Sequence, residues 1–491
     1  MISQNWSQLK SRFAKRPLPT PSQDGPSKKR VRVAKKSKST GHRGNVSKNQ
    51  LQHWIGLELG RWNVMDELVA GYELHISPSL GGADSSRNEQ KRKRHLEAWL
   101  WARLFHPLLP LGEPSQEAIK RGDDQLLQKL VNAGVNKKEA KARVRKLAVI
   151  LSSEILPEES TRVQVDENSD AVKLTCGKRT VQVLPRYFSK LRDLHTGSGA
   201  QFHLAAFLVL ARYRILQVHD KGGGNQGALP NSVFGILQEW ASEPIIEAFA
   251  SPLNTLAGRD CYHSAFGDVD GLFGSRGSFF EADVQEGIVE VNPPFDEDII
   301  WRTAAFCQES LERARAGKKM LAFVVVIPET EWPGHAAFLE SEFLRRSVTL
   351  QAGSHFYQVG NQHLNRSRTY AASRNTSLLL LASRPLAGAN ALCAKLSTSF
   401  QTHVGEQAKS GAGTNEPPIT KLQQDGAGCA AVLHDLKVAT NGFSSQKSIG
   451  IVLYCIVLYT IWLSDLTFFL RKFQFLVLSL PLKFVFHSFS T

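Results

Sequence analysis

The chain has 491 residues, with 60 Lys or Arg against 45 Asp or Glu, a formal net charge of +15 and 42% hydrophobic residues. It exceeds one typical domain and is too apolar to be disordered throughout, so two folded domains with tails are expected. Its six cysteines (176, 261, 307, 393, 429 and 455) contain no Cys-x-x-Cys spacing. This argues against a disulfide framework or a structural metal and favours a reducing compartment.

The charge is unevenly placed. Residues 1–50 hold thirteen Lys or Arg against the single acid Asp24, which is +12 of the total and leaves only +3 for the rest. The run Lys28-Lys-Arg-Val-Arg-Val-Ala-Lys-Lys36, set among Ser, Pro and Gln without apolar periodicity, reads as a disordered basic tail suited to nuclear import or loose polyanion contact. No N-terminal secretory signal is expected.

From residue 51 the spacing turns helical, beginning with Leu51, Trp54, Leu57 and Leu59, and helices dominate to about 215. Leu96–Phe105 reads as an amphipathic helix preceded by Lys91-Arg92-Lys93-Arg94, and Lys137–Ile150 as another with a basic face. Two short β-like runs, Arg162–Val165 and Val181–Leu184, interrupt them. Lys91, Arg92, Lys93 and Arg94, with Arg276 further on, are the candidate RNA contacts, because basic side chains neutralise phosphates.

The pattern changes at the apolar helix Phe202–Val218 and the glycine-rich segment Lys221–Pro230. A helix over Asn231–Trp240 leads into the strand-like Ile245–Ala250 and the polar turn Ser251-Pro252-Leu253-Asn254, an arrangement suited to cradling a cofactor. The segment Phe273–Phe280 precedes Glu281, a candidate for hydrogen bonding ribose hydroxyls. Neither matches the Gly-x-Gly-x-x-Gly fingerprint.

The apolar strand Gly287–Val291 then runs into Asn292-Pro293-Pro294-Phe295. An exocyclic amine on a purine is a poor nucleophile because its lone pair is conjugated into the ring. The Asn292 amide oxygen and the Pro293 carbonyl can accept the two amine hydrogens, and Phe295 can stack on the base. Two prolines fix φ and stop the ladder. The tetrad therefore predicts adenine N6-methylation with S-adenosylmethionine as donor. Beyond it come a helix near Asp298–Arg315, the strand Leu321–Ile327, a helix near 334–346 and the strand Ser377–Ala382. Strands separated by helices argue an α/β core with a parallel or mixed sheet covered on both faces.

Several blocks then occur in a family's order: Gly227–Pro230, Phe249–Asn254, Ser264–Phe266, Asp268–Gly271, Phe273–Gly277, Val291–Phe295, Ile327–Glu329 and Asn361–His363. Over roughly 200–385 the chain resembles the cap-specific adenosine N6-methyltransferase family, also called phosphorylated CTD-interacting factor. The resemblance implies a helical domain joined to a Rossmann-like class I methyltransferase core, and methylation of the 2′-O-methyladenosine that follows a 7-methylguanosine cap. It implies that Asn292, Pro293, Pro294 and Phe295 hold the adenine. Phe249, Ser251, Pro252, Asn254, Phe273, Gly274 and Glu281 are the residues expected at the cofactor. Capped mRNA is the implied partner, in the nucleus, and no metal is implied. The family's WW domain, which some members use to bind the phosphorylated tail of RNA polymerase II, is not recognised here, so that contact is not expected. Thr330 and Glu331, inserted between Glu329 and Trp332, are expected to shift a loop near the substrate.

The expected organisation is a basic tail over 1–50, a mainly helical RNA- or cap-binding domain over 51–200, the methyltransferase core over 201–390, a low-complexity linker over 391–448 and a hydrophobic tail over 449–491. In that tail Ile449–Leu463 carries no charge, yet it falls short of the ~20 residues of a bilayer span, so an anchor is not the favoured reading. Two other functions fit the same residues: N6-adenine methylation of DNA or internal RNA, and a catalytically inactive homologue that binds RNA or the polymerase tail.

Overall fold

A computed structural model describes residues 46–409, except 81–84, 110, 160–161, 168–169, 218–226, 242 and 365–368. The basic tail up to residue 45, the glycine-rich residues 221–226 and the hydrophobic stretch 449–491 lie outside the described residues.

The first layer is helical, as the spacing predicts. Helix α1 (Lys48–His75) starts at Ser47, whose side chain accepts from the Gln50 N–H, and it buries Leu51, Ile55, Leu59, Leu68 and Tyr72 along one stripe. Helices α2 (Ser85–Ala102), α3 (Gln116–Asn132), α4 (Lys137–Leu151) and α5 (Pro185–Leu194) pack around it. Helix α6 (Phe202–Ile215) is apolar on nearly every side, and such a helix is stable only when surrounded by protein. Its one buried charge, Arg212, is 1% exposed and bonds both Glu58 oxygens on α1, at 2.9 and 2.5 Å, and Asp268 Oδ2 at 3.0 Å. Breaking such a pair leaves an uncompensated buried charge, at a cost of ~3–5 kcal/mol.

A three-stranded antiparallel sheet joins the helices: β1 (Gln164–Glu167), β2 (Val172–Cys176) and β3 (Arg179–Val183). The expected β-like runs at Arg162–Val165 and Val181–Leu184 overlap β1 and β3, but the middle strand was not expected. Its signal is the period-two burial of Val172, Leu174 and Cys176, alternating with Lys173 and Thr175.

The second layer is a five-stranded mixed sheet in the order β4 (Ile246–Glu247), β5 (Gly287–Val291), β6 (Leu321–Pro328), β10 (Thr376–Ala382), β7 (Leu344–Leu350). Strands β4, β5 and β6 are parallel, and β10 runs antiparallel to both neighbours. Every residue of β6 and of β10 is buried, which is why both read as unbroken apolar runs. A two-stranded ribbon, β8 (Phe356–Gln358) with β9 (Thr369–Ala371), lies beside it in the chain.

Helices cover both faces. On one, α8 (Glu297–Ala316) and α9 (Pro333–Leu339) pack on Val289, Val291, Phe323 and Val325. On the other, α7 (Asn231–Trp240) and α10 (Ala389–Lys409) pack on Val324, Val326, Leu378 and Leu380. The α/β architecture with a mixed sheet follows the expectation, with two local corrections. The expected helix near 334–346 ends at Leu339, and β7 starts at Leu344 as the edge strand of the sheet, with Arg346, Ser347 and Thr349 exposed. The expected linker from 391 begins instead as α10, because Leu392, Leu396 and Phe400 recur at helical spacing and close the core. No helix among the described residues is long and apolar enough to cross a membrane.

Candidate active site

The carboxyl ends of parallel strands are where α/β sheets bind ligands, and here the ends of β4 and β5 are adjacent. Glu247 pairs in register with Glu290, and the Ala248 N–H bonds the Glu290 carbonyl at 2.9 Å. The segments that follow, 249–254 and 292–295, therefore leave the sheet next to each other.

Asn292 is the first residue beyond β5 and is 8% exposed. Its Nδ2 donates to the Gly227 carbonyl at 2.8 Å, while its Oδ1 has no hydrogen-bond partner. A carbonyl can only accept, so the amide orientation is chemically fixed: nitrogen towards Gly227, oxygen free. Gly227 is held in turn by its neighbour Ala228, whose N–H and C=O exchange bonds with Gln358 at 3.0 and 2.8 Å. A side chain at 227 would press on Tyr370 Oη and come 3.4 Å from Tyr357 Cβ, which explains the glycine.

The rest of the tetrad is rigid. The Pro294 carbonyl accepts from the Asp296 N–H at 2.8 Å, and the Asp296 carboxylate caps α8 by accepting from the Asp298 and Ile299 N–H groups at 3.0 and 3.2 Å. Burial pushes the Asp296 carboxyl up to about 6 despite these bonds. The half-buried Phe295 ring meets Tyr357 edge to face, with centroids 5.6 Å apart, and the Tyr357 hydroxyl bonds Thr376 Oγ1 at 2.8 Å.

Glu247 organises the neighbouring loop. One of its oxygens accepts from Thr255 Oγ1 and from the Leu256 and Ala257 N–H groups, the latter two at 2.8 and 2.9 Å. Lys190, on α5, gives its ammonium to the Thr255 carbonyl at 2.6 Å and the Leu253 carbonyl at 3.4 Å. Burial lowers that ammonium to about 8, opposed by the charge of Glu247. Within the loop, the Ser251 N–H and Oγ–H both reach Asn254 Oδ1, at 2.6 and 2.8 Å, closing an Asx-type turn.

The structure separates the expected cofactor residues. Phe249 and Asn254 line a small cavity of about 10 Å³ together with Asn292, Glu247 and Glu290. Ser251 and Pro252 are buried supports of that turn. Phe273 is 0% exposed and sits in the core against His195, with its carbonyl accepting from Tyr262 Oη, so its ring is packing rather than lining. Gly274 and the exposed Glu281 line a much larger cleft of about 2200 Å³, which also reaches Phe249 and Pro294.

That cleft is aromatic and mixed in charge, with Glu113, Asp260, Asp268, Glu281, Asp283 and Glu286 on its walls beside four basic side chains. Arg259, Arg276, Arg302 and Lys319 open onto it, with Trp54, Trp101 and Phe280 among its walls. Arg276 is exposed there. Of the basic run before Leu96, Arg94 is exposed and Lys93 half-buried on α2, neither lining the cleft. The side chains of Lys91 and Arg92 lie outside the described residues. The two residues inserted after Glu329 are absorbed by a turn that starts α9, in which Thr330 Oγ1 accepts from Trp332 N–H at 3.3 Å and the Thr330 carbonyl bonds His335 Nδ1 at 2.9 Å.

Sequence reasoning passed over Gly227 as an orienting group, over Arg302, and over Glu247 and Glu290. For the two acids the signal was present: each is a charge inside an otherwise apolar strand segment, Ile-Ile-Glu-Ala and Ile-Val-Glu-Val, where an acid is rarely buried without a task.

The family description "Phosphorylated CTD interacting factor 1 WW domain" matches residues 184–360. In this chain those residues hold α5 to α9, the three parallel strands β4 to β6, β7 and β8. The chain is 34% identical over 218 residues to the mRNA (2′-O-methyladenosine-N(6)-)-methyltransferase of Mus musculus, covering 42% of this chain and 30% of that protein. It is 33% identical over 236 residues to the protein of the same name from Homo sapiens, covering 45% and 33%. The chain thus spans about a third of the length of these relatives in the matched region. The resemblance read from the sequence holds: this chain is similar to the cap-adjacent adenosine N6-methyltransferases.

Proposed function

We propose that the chain is an S-adenosylmethionine-dependent methyltransferase acting on N6 of the 2′-O-methyladenosine next to the 7-methylguanosine cap of mRNA. The observation that carries this reading is the fixed orientation of Asn292, which leaves a buried, unpartnered amide oxygen at the end of β5 beside Phe295. An unpartnered acceptor in such a place costs ~1–3 kcal/mol, and an amine hydrogen recovers it.

In this reading Asn292 Oδ1 and the Pro293 carbonyl accept the two N6 hydrogens and favour a pyramidal nitrogen. Phe295, held by Tyr357, stacks on the base and excludes water. Acceptors already in place need no reorganisation as charge develops on the nitrogen. Phe249 and Asn254 bound the cofactor site, with Gly274 and Glu281 at the cleft edge. The orphaned oxygens of Asn292 and Glu290 fit a ligand that brings hydrogen-bond donors and positive charge. Bound there, the cofactor supplies an electrophilic methyl group on a sulfonium.

A Rossmann-like core is supported by the parallel β4–β5–β6 set followed by an antiparallel β10 inserted before β7. In this reading the phosphates of a capped RNA end meet the basic side chains of that mixed-charge cleft, Arg259, Arg276, Arg302 and Lys319, and the basic tail suits a nuclear protein. Contact with the polymerase tail is not part of this reading.

The test is methyl transfer from labelled S-adenosylmethionine to a short RNA starting 7-methylguanosine-ppp-2′-O-methyladenosine, beside the same RNA uncapped. Product at N6 on the capped RNA alone is expected. Equal rates on both would replace the cap reading with general adenine methylation, and product on neither would leave a binding protein.

A further inference from the structure

Two acids face the same cavity as Asn292 and the proposed chemistry of the tetrad gives neither a task. Glu247 and Glu290 are 7% and 4% exposed and directly opposed across the β4–β5 pair. Glu247 has its loop bonds. Glu290 Oε1 has no hydrogen-bond partner. A buried carboxylate without a partner is costly, and a second one alongside adds repulsion, so the pair is worth keeping only if a positive group arrives between them. The nearest cation, Lys190, is committed to the Leu253 and Thr255 carbonyls.

We propose that Glu290, backed by Glu247, receives the α-ammonium of the methyl donor's amino-acid end. This rests on the reading of Asn292 as the methyl-acceptor site. The shared cavity of about 10 Å³ admits one water-sized group, which an –NH₃⁺ is. A divalent metal would need about six oxygen ligands, more than the two orphaned oxygens offer. Glu290 on β5 and Asn292 just beyond it line the same cavity two residues apart, about 6.6 Å at extended spacing, comparable with the reach from an α-amine to the methyl of a γ-sulfonium. The strand therefore sets the donor's charged end and the acceptor amine at a fixed spacing.

Burial and then the charge of Glu247 push the Glu290 carboxyl well above the ordinary carboxylate range, and a facing ammonium opposes that shift. Ammonium binding favours the ionised form. Affinity for an amine-bearing ligand then rises with pH while affinity for an amine-free one does not.

Calorimetry on the full chain with S-adenosylhomocysteine and with 5′-methylthioadenosine, which lacks the amino-acid end, separates the possibilities. In the wild type S-adenosylhomocysteine is expected to bind at least tenfold tighter, and Glu290→Gln to lose at least tenfold for it while keeping 5′-methylthioadenosine affinity within twofold. An independent arm needs no variant: comparing buffers of different ionisation enthalpy near pH 7, more proton release is expected with S-adenosylhomocysteine than with 5′-methylthioadenosine. Equal proton release for the two ligands, or equal effects of Glu290→Gln on both, would overturn the assignment. Failure of the wild type to bind either ligand would overturn the methyl-donor reading itself.

Discussion

The Asn292 amide nitrogen donates to the Gly227 carbonyl across 2.8 Å, and this bond decides which end of the amide faces the site. A glycine 65 residues away, in neither strand nor helix, could not be placed by the tetrad motif, yet without its carbonyl the amide is free to rotate. The tetrad names the acceptor; the glycine orients it.

Gly227→Ala puts a methyl group against Tyr370 Oη and close to Tyr357 Cβ, so either the tyrosine or the backbone carrying the Gly227 carbonyl must shift, and the second displaces the group that orients Asn292. Methyl transfer is expected to fall at least tenfold, the worth of about 1.4 kcal/mol in the barrier. Removing the opposing hydroxyl in Gly227→Ala/Tyr370→Phe is expected to restore part of the rate. An unchanged rate in the single variant, measured at saturating donor, would contradict the orienting role.

Arg302 stands over the Phe280 ring at 4.5 Å, with one buried guanidinium nitrogen lacking a partner, on the wall of the large cleft. If the cleft carries the RNA backbone, Arg302→Ala weakens binding roughly tenfold, as the loss of one charge-assisted bond does. The slope of log affinity against log salt becomes shallower by about 1. Fluorescence anisotropy from 50 to 200 mM salt, roughly the range over which such slopes are read, checks both. An unchanged slope would place the RNA elsewhere.

Asp270 is fully buried, its Oδ2 accepts from Tyr213 Oη at 2.8 Å, and its Oδ1 is unpartnered. Burial raises this carboxyl to about 7. The folded state thus holds a proton that the unfolded chain releases near pH 4, so stability falls as pH rises from about 4 to about 7. Asp270→Asn mimics the protonated acid and removes this dependence. Denaturant unfolding at both pH values should show the wild type losing up to ~4 kcal/mol relative to the variant, at about 1.36 kcal/mol per pKa unit. Parallel pH profiles would contradict the assignment.

Much of the architecture was legible because burial leaves a period in the sequence. The unbroken apolar runs of β6 and β10 and the period of α7 and α8 located these elements within a few residues. Short or weakly patterned pieces were not legible: β2 was overlooked, and the start of β7, Leu344 to Arg346, was taken into a helix. The tetrad was readable because its chemistry needs those residue types in sequence. Gly227 acts through its backbone carbonyl, which no side-chain pattern announces, whereas Glu247 and Glu290 were legible as charges inside apolar strand segments and were passed over. Phe273 shows the converse: a position marked by a sequence block whose side chain serves the core.

The most direct measurement is methyl transfer to the capped RNA by the wild type and by Asn292→Ala, with RNA affinity measured on the same samples. The variant should lose at least 99% of the rate, roughly the effect of removing a preorganised polar group, while binding RNA within about twofold of wild type. Turnover near the wild-type rate by Asn292→Ala would contradict the account at its centre.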